Sequence, residues 1–375
     1  MNAEIQSNTN HRIGERLASI DVLRGFDMFF LVGAGDIVRR FLEGLNCEAM
    51  KPLYAQFKHA EWIGFTAWDI IMPLFLFTSG LSMPFSIGKL LKQGYTKSKI
   101  YTKILKRFCL LFLFGWIVQG NLLDLNYDTF HLYCNTLHAI AVGYLITALL
   151  ALNIPKASMQ LLVCASFLLI YWALLSFCPV PGIGSGVLTP DGNIAIYIDR
   201  TVMGHFQSGG YSTWILTTFG FAATVFSGYY AGLMLKKSIS PERILKQLSL
   251  TGIALIAGGL LWSLQMPIIK VIWTPSMVLF SSGICYLLLA CSYFLTDKLK
   301  ISSWWTYMFK VLGMNAIAAY LLNAVFGLNQ TSALLLRGFE QYIGVFFPFI
   351  VALGKYGIIY FILHQMYQYK IFLKV

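Results

Sequence analysis

The strongest constraint on this chain is the recurrence of apolar stretches long enough to cross about 30 Å of hydrocarbon. They fall near residues 19–41, 67–91, 101–121, 134–154, 157–178, 212–236, 247–266, 272–296, 305–326 and 344–367. Backbone inside lipid must satisfy its own N–H and C=O groups, and segments of this length do so as helices. The expected fold class is all-α, a polytopic transmembrane helix bundle of about ten to eleven helices. Composition agrees, since 57% of the 375 residues are hydrophobic and only 12% are charged, outside the range of a soluble domain. The net charge of +12 therefore gives no reason to expect nucleic acid as a partner. What matters is where the charges fall relative to a lipid bilayer.

They fall in particular connections. Lys89, Lys92, Lys97, Lys99, Lys103, Lys106 and Arg107 flank one, Lys236, Lys237, Arg243 and Lys246 another, and Lys298 with Lys300 a third. If the helices alternate, all three lie on one side, which the positive-inside rule makes cytoplasmic. His11, Arg12 and Arg16 near the start and Lys370 and Lys374 near the end join them, so both termini are expected in the cytoplasm. Residues 1–16 read as a polar cytoplasmic N-terminus without the apolar core of a cleaved signal peptide, and residues 17–375 as one membrane domain. The opposite side carries outer loops near 42–66 and 178–211 and a short one around Asp124 to His131. The stretch from Pro179-Val180-Pro181-Gly182 to Gly204-His205 is too long for a mere connection and is expected to cover or line something.

Seven cysteines are scattered with no Cys-x-x-Cys. Cys47 and Cys178 both fall in outer loops, where they either pair or stay as free thiols. No His-x-x-x-His or His-Glu-x-x-His spacing links the histidines, and the glycines are dispersed among apolar helices rather than gathered in a phosphate-cradling loop. No metal is expected.

Several ionisable residues stand where chemistry needs them. His59, in Phe57-Lys58-His59-Ala60-Glu61-Trp62, precedes the second span on the outer side; an imidazole there can take and return protons near neutrality. Taken alone it reads more readily as an ordinary loop histidine. Asp69, three residues into the second span, is either a cap that complements the helix dipole or the carboxylate that orients a nearby imidazole. Asp21 and Arg24 lie one turn apart at the cytoplasmic mouth of the first helix and either anchor it or bind an anionic cofactor. Asp27 and Asp36 lie deeper, where ionisable groups tend to face a polar pathway. Lys270 is a lone cation at the outer end of a helix pair, which either snorkels or neutralises a phosphate. Asn315, in Gly313-Met314-Asn315-Ala316, is either interhelical glue or a substrate hydrogen bonder.

Together these residues resemble the heparan-α-glucosaminide N-acetyltransferase family of membrane acyltransferases, which includes bacterial proteins of unassigned function. The resemblance runs from about Leu17 to Val375 and rests on short pieces in a fixed order. They are Ser19-x-Asp21-x-x-Arg24-Gly25, then Phe57-Lys58-His59-Ala60-x-Trp62-x-Gly64-x-Thr66-x-x-Asp69-x-x-x-Pro73, then Pro179-Val180-Pro181-Gly182 with Tyr197-Ile198-Asp199-Arg200. Pro267-Ile268-x-Lys270-x-x-Trp273-Thr274-x-Ser276, Gly313-Met314-Asn315 and Lys370-Ile371-Phe372 complete the set. It implies transfer of an acetyl group from cytoplasmic acetyl-CoA to an amino sugar or glycan on the far side of a bacterial inner membrane. His59 would be general base or transient acetyl carrier, with Asp69 as its catalytic partner. It also implies donor contacts from Arg24, Lys270, Trp273 and Ser276, acceptor contacts from Asp27, Asp36, Trp62 and Asn315, and leaves a homodimer open.

The chain departs from the family pattern in places. Asn135-Thr136-Leu137-His138-Ala139 stands for Gly-Val-Leu-Gln-Arg, Ser212-Thr213-Trp214-Ile215 for Asp-Pro-Glu-Gly, and Ile269 for an asparagine, while a histidine-glutamate pair is replaced around Leu322 and Asn323. The luminal domain that precedes the first helix in the animal enzyme is not expected here. These changes point to a different acceptor. They also keep two other readings open, a sugar or amino-sugar transporter using Asp27, Asp36 and Asp69 for proton coupling, and a relative that retains the fold without the chemistry.

Overall fold

The computed structural model describes residues 17–237 and 240–373; His11, Arg12, Arg16, Lys374 and the rest of the polar stretch 1–16 lie outside them. Among the described residues the chain is all-α. Helix α1 (Ala18–Phe29) continues through a π-turn over Phe30–Ala34 into α2 (Gly35–Leu45), and a short α3 (Lys51–Gln56) follows. A 3-10 turn over Ala67–Ile70 enters α4 (Ile71–Leu81), then come α5 (Met83–Lys92), α6 (Lys97–Val118), α7 (Thr136–Asn153) and α8 (Ala157–Phe177). The second half comprises α9 (Ile194–Met203), α10 (Thr218–Lys236), α11 (Pro241–Ser263), α12 (Pro275–Tyr293), α13 (Trp304–Met314), α14 (Ala316–Val325), α15 (Leu328–Leu336), α16 (Glu340–Ile343) and α17 (Phe347–Gln368). Local sequence sets several starts. Asn135 accepts from the backbone of Leu137 and His138 at the head of α7, Ser240 accepts from Arg243 before α11, and Pro241 and Pro275 sit where a helix has no use for an N–H.

Among the described residues six helices are long and apolar enough to cross a membrane, seven if α13 and α14, bent by 76°, count as one broken span. The expected ten to eleven is not reached, for a physical reason. The first apolar run is interrupted by the π-turn and continues into a half carrying Asp36, Arg39, Arg40 and Glu43. Helix α6 opens with Lys97, Lys99, Lys103, Lys106 and Arg107, and α10 is lined with Thr, Ser, Gly and Tyr. These three are helices that pack on neighbours, α2 on α17, α6 on α7 and α10 on α4.

The packing shows this. Helix α10 lies against α4, α7 and α8, and its crossing with α4 depends on two glycines: a Cβ at Gly80 would stand 1.8 Å from the Val225 carbonyl oxygen, and one at Gly228 would stand 1.9 Å from that of Phe77. Small residues at such crossings let backbones approach where lipid provides no hydrophobic drive. Large apolar side chains left exposed lie on α8, α11 and α17, among them Leu162, Leu261 and Phe361, as expected of faces turned to lipid. The chain is thus a multi-pass membrane protein.

Helix α12 measures the bundle from end to end, about 28 Å at 1.5 Å per residue. Beyond its last turn Asp297 accepts from the backbone of Ala18 and Ser19 at 3.3 and 3.0 Å. The residues after α17 lie at this same end, where Asn315 holds Ile371. Residues 264–274 precede the other end of α12, and there residues 57–66 meet them.

Candidate active site

At that end three side chains from distant parts of the sequence converge. His59 Nδ1 lies 2.6 Å from Asp69 Oδ1, and Lys270 Nζ lies 3.0 Å from the same ring nitrogen and 3.4 Å from the same carboxylate oxygen. The other oxygen, Oδ2, accepts from the backbone N–H groups of Ala60 and Thr66 at 3.2 and 3.0 Å. Asp69 therefore caps the turn with one oxygen and holds the imidazole with the other, so the two readings of this residue describe one carboxyl. The burial gradient is steep: the side chain of Asp69 is 1% exposed and that of His59 57%, with Lys270 at 17%. The ring is gripped from below at Nδ1, and among the described residues Nε2 makes no hydrogen bond. A neutral imidazole whose Nδ1 proton is held by a buried carboxylate presents a basic Nε2 outward.

The surrounding loops are fastened to one another. Gly64, at φ +121° where a side chain is strained, donates its N–H to the Ile268 carbonyl at 2.9 Å, joining the His59 loop to the Lys270 segment. Thr66 donates its hydroxyl proton to the Lys58 carbonyl at 2.6 Å. Trp62 reaches 126 residues along the chain to donate its indole N–H to Leu188 O at 2.7 Å, and its ring meets Tyr211 edge-on at 6.3 Å. The buried Tyr171 hydroxyl donates to Ile272 O. Asp199, on α9, accepts from the backbone of Trp214 and Ile215 at 2.6 and 3.0 Å; burial pushes its carboxyl up from the ordinary 3.8 to about 6, against the pull of those two N–H groups. The long 178–211 stretch is thus built into the rim around His59.

Arg24 lies at the opposite end. Its guanidinium donates to Ser82 Oγ at 2.6 Å and to Gly313 O at 3.4 Å, with Asp21 at 3.7 Å. It lines a cavity of about 220 Å³ together with Arg107, Thr78, Ser79 and Leu373. A second cavity of about 280 Å³ shares Arg107 and adds Lys103 and Lys106. The Arg107 guanidinium stacks 4.1 Å from the centre of the Tyr144 ring, and its Nε has no hydrogen-bond partner among the described residues. No acid lines either cavity, so the pair suits an anion with more than one negative group.

Comparison with known proteins finds two kinds of match. Residues 16–121 match a family described as a domain of unknown function, DUF5009. The chain is 27% identical over 239 residues to heparan-alpha-glucosaminide N-acetyltransferase of Mus musculus, covering 54% of this chain and 34% of the mouse protein. To the Homo sapiens protein of the same name it is 27% identical over 371 residues, covering 83% of this chain and 53% of the human one. The chain is a distant relative of these N-acetyltransferases. It spans between about a third and a half of the length of these relatives. The human match covers most of this chain, while the DUF5009 match reaches only from residue 16 through α6.

Against the pattern of the N-acetyltransferase relatives, the remaining expected site residues fall away from the His59 cluster or are engaged internally. Trp273 is buried, with its indole N–H on Thr224 Oγ1 at 3.2 Å and its ring 5.0 Å from Phe221. Ser276 is fully buried and donates to Pro267 O at 3.2 Å. Asp36 pairs with Arg39 at 2.7 Å and Arg40 at 3.4 Å, with Lys355 at 4.0 Å. Asn315 spends both ends of its amide on the terminal segment, donating to Ile371 O at 3.1 Å and accepting from Leu373 N at 3.2 Å. Asp27 is fully buried, and neither oxygen has a hydrogen-bond partner among the described residues. Of the donor and acceptor contacts expected beyond His59 and Asp69, only Lys270 and Trp62 stand with them; the others have structural partners or lie elsewhere.

The departures from the family pattern also find uses. Asn135 donates to Gly115 O at 2.6 Å, and His138 stacks on Phe112 at 4.4 Å while its Nδ1 accepts from Cys134 N at 3.2 Å, so this segment fastens α7 to α6. All seven cysteines are free, Cys47 and Cys178 included, and no group of metal-ligating residues occurs among the described residues. Arg107 is the residue sequence reasoning missed as a site candidate. It reads as the last member of a cytoplasmic basic run, but it is also the first cation met by the apolar half of its helix, which is the signal that marks it.

Proposed function

We propose that this protein is a membrane-bound acyltransferase that moves an acetyl group from acetyl-CoA to the amine of an amino sugar or glycan on the extracytoplasmic side. The observation that carries the reading is the 2.6 Å contact between His59 Nδ1 and the buried Asp69, which leaves Nε2 facing outward. The donor supplies a thioester-activated acetyl group. His59 Nε2 takes the proton that the acceptor amine must lose as it forms the new amide bond, and Asp69 balances the positive ring that results. A base at this place requires no second activated intermediate exposed to water, which favours direct transfer over an acetyl-histidine. Trp62, fixed by its indole N–H to Leu188, offers a ring edge beside the acceptor. At the cytoplasmic end Arg24 and Arg107 hold the donor's phosphates. By the same topology the loops around His59 are extracytoplasmic, so the donor reaches through the bundle.

Purified protein in lipid nanodiscs should release free CoA from acetyl-CoA when an amino sugar is added, and His59→Ala should abolish release while leaving the melting temperature and CoA binding intact. Full turnover in His59→Ala would sink the mechanism. One observation favours a second reading, proton-coupled sugar transport: Asp27 is a buried intramembrane acid whose oxygens have no hydrogen-bond partner among the described residues. Accumulation of labelled amino sugar by proteoliposomes without any acyl donor, lost in Asp27→Asn, would decide for transport.

A further inference from the structure

The acyltransferase reading uses His59 and Asp69 and leaves Lys270 unexplained, although Lys270 is the nearest cation to the ring. His59 Nδ1 has two neighbours, Asp69 Oδ1 at 2.6 Å and Lys270 Nζ at 3.0 Å. At 2.6 Å a bare ring nitrogen would set its lone pair against that of a carboxylate, so the Nδ1 proton lies between them. Nδ1 then has no lone pair to offer Lys270, whose N–H groups turn to the shared Oδ1 at 3.4 Å. The ammonium is held beside the ring by the carboxylate they share.

We propose that Lys270 is a positioning residue for the base: it holds the Asp69 oxygen that binds the Nδ1–H of His59 and, as a cation beside the ring, opposes a positive charge on it. The proposal rests on the acyltransferase reading for its purpose, but not for its test. The arrangement carries it. An imidazolium at His59 would stand 3.0 Å from the Lys270 nitrogen with one buried carboxylate between two cations, and like charges that close disfavour each other. No other cation competes for the role. Lys58, on the same loop, holds its nitrogen 4.3 Å from the Tyr54 ring centre, and Glu61 is exposed. Among the described residues only Asp69 and Lys270 make polar contacts with the ring. Burial pushes the Lys270 ammonium below the ordinary lysine range while Asp69 pulls it back. From sequence Lys270 reads as a cation that either snorkels or neutralises a phosphate of the donor; its nitrogen lies 3.0 Å from the His59 ring.

The test needs neither donor nor acceptor. Diethyl pyrocarbonate modifies neutral imidazole, so the rate at which His59 is carbethoxylated, followed by peptide mass spectrometry from pH 5 to 9 on the full-length protein in nanodiscs, reports when the ring is neutral. In Lys270→Met the midpoint of that curve should rise by about one pH unit or more, and Lys270→Arg should keep it near the wild-type position. Lys270→Gln retains length and an N–H for Asp69 without the charge, and should move the midpoint as Lys270→Met does, so a folding defect in one variant is checked by the other. An unchanged midpoint in a folded, uncharged variant would reduce Lys270 to a fastener between two loops and overturn the proposal. Because the readout is independent of acetyl transfer, an inactive protein with a shifted midpoint would count against the enzyme reading alone.

Discussion

The two ends of the bundle hold polar groups in opposite ways. At the His59 end a fully buried carboxylate has donors on both oxygens, and the loops around it are tied together, Gly64 to Ile268 by a backbone hydrogen bond and Trp62 to Leu188 by its indole. At the Arg24 end two arginines face open volume, and one of them has a buried nitrogen without a partner among the described residues. Preorganised groups cost nothing to arrange when a reaction needs them, whereas unsatisfied donors are a standing offer to a ligand. The contrast argues for proton transfer at the first end and anion binding at the second.

The largest effect expected from breaking this contrast is at His59. Removing the ring should lower the acetyl-transfer rate by about 10²–10⁴-fold, with thermal unfolding unchanged because the side chain is more than half exposed. Next comes Asp69→Ala, which strands the imidazole, Lys270 and two backbone N–H groups at once. It should cost about 3 kcal/mol of stability, read as a lowered midpoint in a thermal melt, and a wild-type melt would dissolve the claim that this end is built around the carboxylate. Arg107→Ala acts at the other end. It should weaken CoA binding by about tenfold or more in calorimetry and leave His59 carbethoxylation untouched; an effect on the histidine would show that the ends are not separate. The smallest effect concerns the rim. The Asp199 carboxyl is raised from 3.8 to about 6, so its contribution to stability is fully present below pH 4 and is lost as pH rises through 6. Between pH 5 and pH 7 this amounts to about 1 kcal/mol. Asp199→Asn should flatten that part of the pH–stability curve, and a curve parallel to wild type would remove Asp199 from it.

Sequence made the helical class and the His59–Asp69 pair legible for different reasons. Apolar runs announce helices because lipid permits little else, and the ten-residue interval between His59 and Asp69 spans one helix entry, so a local cap brings the two together. The helix count was less legible. Asp36, Arg39, Arg40 and Glu43 on α2 and the basic start of α6 lower the apolarity of segments that pack on α17 and α7, and that packing is a tertiary fact. Lys270 was legible as unusual but not as a neighbour of His59, since 211 residues separate them and only the packing of residues 264–274 against 57–66 brings them together. Trp273 and Ser276 share a motif with Lys270, but a few residues along the chain turn their side chains into the core. A short motif fixes a backbone path and leaves each side chain's destination to its neighbours.

The grip of Asn315 on the terminal segment separates fastening from shape. Its amide engages only main-chain atoms, the oxygen of Ile371 and the nitrogen of Leu373, and so is indifferent to which side chains those positions carry, proline at 373 excepted. The Leu373 side chain, by contrast, forms part of the wall of the arginine-lined cavity. Position 373 is therefore a place where the size of that chamber can be altered by single substitutions while both hydrogen bonds from Asn315 are kept.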